Sequence, residues 1–285
     1  MKDGDIAARI DALPPLRQLV ESMDMRARKS LGQNFLFDLN LTRKIARSAG
    51  PLTGTTIEIG PGPGGLTRAL LLEGAAHVIA IEKDWRATAV LSSLSMAASE
   101  RLTLIEDDAL TVPIWDIGTA PRRIIANLPY NIATPLLIQW LSQANCFDSM
   151  TLMFQREVAE RITAQPGTDA YGRLSVLTKW RADAEILFDV PASAFVPPPK
   201  IISSVVQIVP LAQPRYPCSQ KALEFITRTA FGQRRKMLRS SLKKINGDHL
   251  LKEAGIAPDL RPQDIDIDGF CKLAQLYEST AKTAS

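Results

Sequence analysis

The sequence predicts an α/β fold: a mostly parallel sheet covered by helices, followed by a small all-helical C-terminal domain. Three observations carry this expectation. From Thr55 to about Pro210, short β-rich runs alternate with helix-like segments, the pattern of βαβ units. A glycine-rich turn, Gly60-Pro61-Gly62-Pro63-Gly64-Gly65, joins a β-rich run to a helical one. After the proline-containing segment 211–217, helical periodicity continues and strand patterns stop.

In chain order, strands are expected at 56–59, 77–82, 102–106, 123–127 and 150–154. Between them lie helices at 66–73, 85–96 and 134–143. The last is expected to open on Thr134 as N-cap, with Pro135 at the first helical position. Two further β-rich runs, 184–190 and 203–209, lie either side of Pro197-Pro198-Pro199 and are expected to form a terminal antiparallel pair. The domain reading is an N-terminal extension over 1–25, to which no function is assigned, a sheet domain over 26–210 and a helical domain over 211–285.

Composition narrows the function classes. Of 285 residues, 46% are hydrophobic and 22% charged, the balance of an ordinary globular protein. The net charge of +4 is compatible with a polyanionic partner. Cys146, Cys218 and Cys271 lie far apart without Cys-x-x-Cys spacing, so neither a disulfide framework nor a zinc knuckle is indicated. His77 and His249 are too few for a His-rich metal site, and no Gly-x-Ser-x-Gly elbow is present. No apolar run reaches the roughly 18 residues of a membrane span, and no signal-peptide pattern opens the chain. A cytoplasmic monomer that uses neither membrane nor metal is expected.

The run Ile57-Glu58-Ile59-Gly60-Pro61-Gly62 is a strand entering a turn where a ligand can approach the backbone. Glu82 follows Gly60 by 22 residues and ends the next strand, where its carboxylate can accept from both hydroxyls of a ribose. Gly60, Gly62 and Gly65 also satisfy the dinucleotide pattern Gly-x-Gly-x-x-Gly, so the turn alone does not name the ligand. Asp107-Asp108 follows the third strand, and a carboxylate there can accept from an adenine amino group or cap a turn. Nothing local separates Asp107 from Asp108.

Asn127-Leu128-Pro129-Tyr130 stands at the carboxyl end of a central strand, where open α/β sheets bind ligands. The composition suits methyl transfer to an exocyclic adenine nitrogen. That nitrogen is a poor nucleophile because its lone pair is delocalised into the ring, so a catalyst must hold its N–H groups with acceptors that oppose planarity. The Asn127 amide oxygen and a backbone carbonyl of the tetrapeptide supply two acceptors. Tyr130 supplies a flat face for base stacking. No strong general base is needed, because the nitrogen becomes cationic and sheds its proton to water.

Five ordered blocks extend this site: Leu31-Gly32-Gln33-Asn34-Phe35-Leu36, Glu58–Gly62, Asn127–Asn131, Phe195-Val196-Pro197-Pro198-Pro199-Lys200, and Phe231-Gly232-Gln233-Arg234-Arg235-Lys236. Together they resemble the ribosomal RNA adenine N6-dimethyltransferase family that modifies small-subunit (16S) RNA. The resemblance implies a Rossmann-like class I methyltransferase sheet using S-adenosyl-L-methionine. It implies that Asn34 and Leu36 contact the cofactor from the N-terminal side, that Gly60 meets its methionine end and that Glu82 holds its ribose. It selects Asp108 over Asp107 for the cofactor adenine, adds Asn127 at the transfer site, and sets Phe195 opposite Tyr130 on the target base. The implied product is N6,N6-dimethyladenosine at two adjacent adenosines of the 3′-terminal hairpin loop, made in the small ribosomal subunit or its precursor. Pro63 and Pro198 are extra prolines that stiffen their loops. The competing readings are a large-subunit RNA adenine methylase, a non-catalytic ribosome-assembly factor with the same fold, and a nicotinamide oxidoreductase.

Between Phe225 and Gly247 stand seven basic residues and no acidic one: Arg228, Arg234, Arg235, Lys236, Arg239, Lys243 and Lys244. On a helical projection Phe231, Leu238, Leu242 and Ile245 form an apolar stripe, so a docked helix is expected to present a basic ridge for phosphates. Arg26, Arg28 and Lys29 form a second basic cluster before Gln33-Asn34.

Overall fold

The computed structural model of the chain describes residues 3–23, 25, 27, 28 and 31–283. Its strands are β1 (Phe35–Leu36), β2 (Thr55–Ile59), β3 (His77–Glu82), β4 (Leu102–Glu106), β5 (Arg122–Asn127), β6 (Ser149–Gln155), β7 (Ala182–Val190), β8 (Phe195–Val196) and β9 (Ser203–Pro210). Its helices are α1 (Asp3–Asp11), α2 (Leu16–Ser22), α3 (Leu39–Ser48), α4 (Gly65–Leu72), α5 (Trp85–Ala98), α6 (Tyr130–Ser142), α7 (Arg156–Thr163), α8 (Arg173–Arg181), α9 (Gln220–Phe231), α10 (Leu238–Ser241), α11 (Gly247–Ala254) and α12 (Ile267–Thr283). Two compact units emerge: Met1–Ala159 with Glu185–Val209, and Glu160–Ala184 with Pro210–Ser285.

The main sheet has the order β4-β3-β2-β5-β6-β9-β7. The first five of these run parallel, and β9 lies antiparallel to β6. β9 inserts between β6 and β7, so the two late strands stand side by side at the end of the sheet. Every residue of β2 is buried, which explains why Thr-Thr-Ile-Glu-Ile shows no alternation: a central parallel strand is covered on both faces. Strand order reverses direction at β2 and β5. The carboxyl ends of these two strands form the topological switch point, and they carry the glycine turn and the Asn-Leu-Pro-Tyr turn.

The short link between β5 and α6 differs from expectation. α6 begins at Tyr130, not after Thr134, with Pro129 as its N-cap. The Pro129 carbonyl accepts the Ile132 and Ala133 amides, both at 3.1 Å, so the first turn is closed before Pro135 is reached. Pro135 removes only the bond to Asn131, an exposed residue whose carbonyl solvent can reach. Burial of Leu136, Leu137, Trp140 and Leu141 holds the helix despite this loss.

The N-terminal residues are part of the sheet unit's core. Ile6 and Ile10 are buried on α1, one helical turn apart, and join Leu70, Leu91 and Leu94 on α4 and α5. The Arg68 guanidinium donates to the Pro14 carbonyl at 3.0 Å, and Met25 packs with Phe35, Ala87 and Val90.

In the second unit, residues 160–184 pack with the C-terminal helices, whereas the sequence reading ran the sheet domain unbroken to residue 210. The reason is local. The 211–217 segment runs along the end of α8, with the Leu211 amide donating to Arg181 O and the Arg215 amide to Trp180 O. Phe231 joins the core through Tyr171 and Phe270, at ring centroid distances of 6.0 and 5.4 Å.

We expect Ile10→Ala, which hollows a site only 1% exposed, to lower unfolding free energy by about 2–5 kcal/mol in urea titrations. A change within experimental error would show that α1 is a dispensable appendage.

Candidate active site

A cavity of about 240 Å³ opens at the switch point. Asn34, Leu36, Gly60, Glu82, Asp108, Asn127, Leu128, Pro129 and Tyr130 all line it. Segments from five places in the sequence thus converge on one cavity. Gly60 leaves space between two motifs, since a Cβ there would stand 3.4 Å from Pro129 Cδ. Gly65 allows a closer approach. A Cβ on it would meet the Leu36 carbonyl at 2.2 Å, so only glycine lets β1 lie against the start of α4.

Glu82 is 8% exposed, and its carboxylate accepts the Gly62 amide at 3.1 Å and the Asp84 amide at 2.9 Å. These bonds fix the carboxylate while each oxygen keeps a further lone-pair site. Burial pushes the Glu82 carboxyl above its ordinary range. Asp108 accepts from Lys83 Nζ at 2.7 Å and from the Leu110 amide at 3.0 Å, and the Lys83 bond holds its carboxyl below the usual range. Asp107 also lines the cavity but turns one oxygen to the Asp108 amide at 2.7 Å.

Asn127 Nδ2 donates to the Asn34 carbonyl at 3.1 Å. With its N–H committed to this bond, the amide keeps its oxygen available as an acceptor. Tyr130 is half-buried, and its phenol is hydrogen-bonded to the Ser203 hydroxyl. Burial raises the phenol above its ordinary value, so it stays neutral.

Phe195 is placed differently from the resemblance-based expectation. It is 1% exposed and sits in the main core cluster rather than in the cavity wall, because β8 pairs antiparallel with β1 and sets Phe195 opposite Leu36. Its ring therefore offers no stacking face here.

The structure adds residues that motif reading passed over. Gln33 links the N-terminal loop to α5, accepting the Arg28 amide and donating to Asp84 Oδ2, both at 2.9 Å. Glu58 lines the cavity at 1% exposure, and its Oε2 has no hydrogen-bond partner. Burial pushes its carboxyl up to about 8, with the charge of Glu82 adding to the shift. The available signal was a lone acid inside the β-rich run Thr56-Ile57-Glu58-Ile59.

In the second unit, the basic run is not one helix. α9 ends at Phe231, a turn follows, α10 covers only Leu238–Ser241 and a 3-10 turn covers Lys243–Ile245, so the projected stripe is split among three elements. Leu238 and Leu242 are buried, whereas Arg228, Arg235, Lys236, Arg239, Lys243 and Lys244 are exposed. Arg234 is half-buried and donates to the carbonyls of Thr168 and Asp169, which gives it a structural role. Arg26 and Lys29 lie outside the described residues, and Arg28 is exposed.

This arrangement defines a class. A dimethyladenosine transferase from Plasmodium falciparum superimposes with a TM-score of 0.72 at 25% identity, covering 87% of this chain and 98% of its own. A 23S rRNA methyltransferase, ErmE, shares the fold with a TM-score of 0.63 at 24% identity, covering 86% and 100%. The fold is that of a Rossmann-like class I methyltransferase with a helical C-terminal region. The profile of the ribosomal RNA adenine dimethylase family matches residues 24–279, and the chain belongs to that family. It is 53% identical over 279 residues to ribosomal RNA small subunit methyltransferase A of Rhodospirillum rubrum, covering 96% of this chain and 97% of the relative. It is 56% identical over 275 residues to the protein of that name from Azorhizobium caulinodans, covering 94% of each.

The Glu58 shift sets a pH dependence. Its folded value of about 8 lies above an unfolded value near 4.3, so across that window the native state holds the extra proton and stability falls as pH rises. Glu58→Gln should remove this slope and gain stability over the wild type as pH increases from about 5 to about 8. Urea melts across this range that show the same difference between the two proteins at every pH would contradict the assignment.

Proposed function

We propose that the chain transfers methyl groups from S-adenosyl-L-methionine to the N6 amino groups of two adjacent adenosines in the 3′-terminal hairpin loop of 16S rRNA. The reaction would take place in the cytoplasm, on the small ribosomal subunit or its precursor, with the protein acting as a monomer. The observation that carries this reading is the Asn127 amide, locked by the Asn34 carbonyl with its oxygen available beside the glycine cradle. Membership of the dimethylase family and the full-length relatives support the RNA target. No helix among the described residues is long and apolar enough to cross a membrane.

The residues present fit the cofactor. The space left by Gly60 would take its methionine end, the buried Glu82 carboxylate its ribose hydroxyls, and the ionised Asp108 its adenine amino group, with Asn34 and Leu36 lining the site from the N-terminal side. When bound, it supplies an electrophilic methyl group on a positively charged sulfur. The chain's own residues then act on the target base. Asn127 Oδ1 accepts one N–H of the adenine amino group. The Pro129 carbonyl is taken by the first turn of α6, which leaves the Leu128 carbonyl as the second acceptor. Two acceptors set out of the ring plane localise the nitrogen lone pair toward the methyl. Tyr130 stacks on the base, and the proton leaves to water.

Labelled cofactor incubated with immature small subunits, large subunits and naked RNA should yield dimethyladenosine confined to small-subunit RNA. Label found only in large-subunit RNA would overturn the target. Asn127→Ala should abolish transfer while calorimetry still detects cofactor binding, and wild-type turnover in that variant would remove Asn127 from the mechanism.

The exposed cations of the second unit are assigned to phosphate contacts. Substituting Arg235 and Arg239 together by Ala should weaken RNA binding and flatten the log–log salt dependence by roughly one to two units. An unchanged slope would mean that this face does not touch RNA.

A further inference from the structure

Tyr130 lines the cavity from the first turn of α6, and its phenol lies 2.5 Å from the Ser203 hydroxyl, 73 residues away. Ser203 is 0% exposed and opens β9, where it pairs with Gln155 of β6. Its neighbours are tied on both sides. The Arg156 amide donates to Ile202 O at 3.0 Å, and Ser204 Oγ donates to Asp189 Oδ1 at 2.7 Å. Asp189 in turn accepts from Arg156 Nη1 at 2.7 Å. The serine hydroxyl is thus a fixed point delivered by the sheet, four residues after the proline run 197–199.

A tyrosine held only through its Cβ moves between rotamers, whereas one bonded also at the phenol oxygen has a single ring plane. We propose that Ser203 is a positioning residue for methyl transfer: it fixes the Tyr130 ring so that a base stacked on it brings its amino nitrogen to Asn127. This rests on the reading in which Tyr130 stacks on the target adenine. The second transfer to one nitrogen is the more demanding. After the first, a single N–H remains to be held and the added methyl must be accommodated, so a tilted base loses the second reaction more readily than the first.

The test is a double-mutant cycle with Ser203→Ala and Tyr130→Phe, which keeps the ring, assayed on immature small subunits with products resolved as mono- and dimethyladenosine. Each single variant should slow the first transfer by about three- to tenfold and raise the proportion of monomethyl product. The double variant should be no slower than either single one, and cofactor affinity by calorimetry should be unchanged in all three. If Ser203→Ala does not fold, Tyr130→Phe reads the same bond from its other end. A wild-type rate and product ratio in the foldable variants, or losses that multiply in the double variant, would overturn the positioning role alone. Wild-type label on a different nucleoside would overturn the assigned reaction and this proposal with it.

Discussion

The hydrogen bond from Asn127 to the Asn34 carbonyl joins residues 93 positions apart, and the geometry of the site depends on it. Without the bond the amide can rotate by 180° and present its N–H groups to the cavity in place of its oxygen. With it, orientation is set by the backbone of the 31–36 loop. That loop is itself constrained by close approach. A Cβ on Gly32 would lie 2.7 Å from Asn131 Oδ1, and one on Gly65 would strike Leu36 O. The Asn127–Tyr130 turn, the N-terminal loop and the start of α4 therefore form one packed body, in which a shift of one element displaces the others.

The N-terminal segment extends the same constraint. Gln33 bonds to Asp84, whose amide is in turn held by Glu82, so the loop that orients Asn127 also reaches the carboxylate assigned to the ribose. Met25 packs on Phe35 from behind, and α1 is anchored in the core by Ile6 and Ile10. The first described residues thus support the walls of the site, and no ligand-binding motif marks them in the sequence.

Legibility followed chemistry and short range. The residues of β3 and β4 were readable to the residue because each is a β-rich run ended by a turn signal. Gly60, Glu82 and Asn127–Tyr130 are legible because glycine, a spaced acid and Asn-Leu-Pro-Tyr have few other uses in combination, whereas Asn34, Leu36 and the choice of Asp108 come only from the family resemblance. What failed depended on tertiary context. Pro135 looked like a helix start because proline favours that position, but Pro129 had already closed the turn. The basic run projected as one helix because its apolar spacing continues across the turn after Phe231. Phe195 was assigned a stacking face by resemblance, whereas β8 pairing buries it. The Tyr130–Ser203 bond was invisible because its partners are 73 residues apart.

The glycine pattern alone left a dinucleotide as a rival ligand, and the structure supplies an electrostatic argument against it. A pyrophosphate at such a turn needs free backbone amides at the helix N-terminus. Here the Gly62 amide donates to the Glu82 carboxylate, so an anion is already in place where the phosphates would seek a donor. Glu58 also lines this cavity, buried and close enough to Glu82 for the two charges to interact. The buried Glu82 carboxylate thus occupies the amide that a pyrophosphate would need, which counts against a dinucleotide at this turn. Glu82, the acid that makes the turn look like a general nucleotide site in the sequence, is thus also the group that closes it to a pyrophosphate.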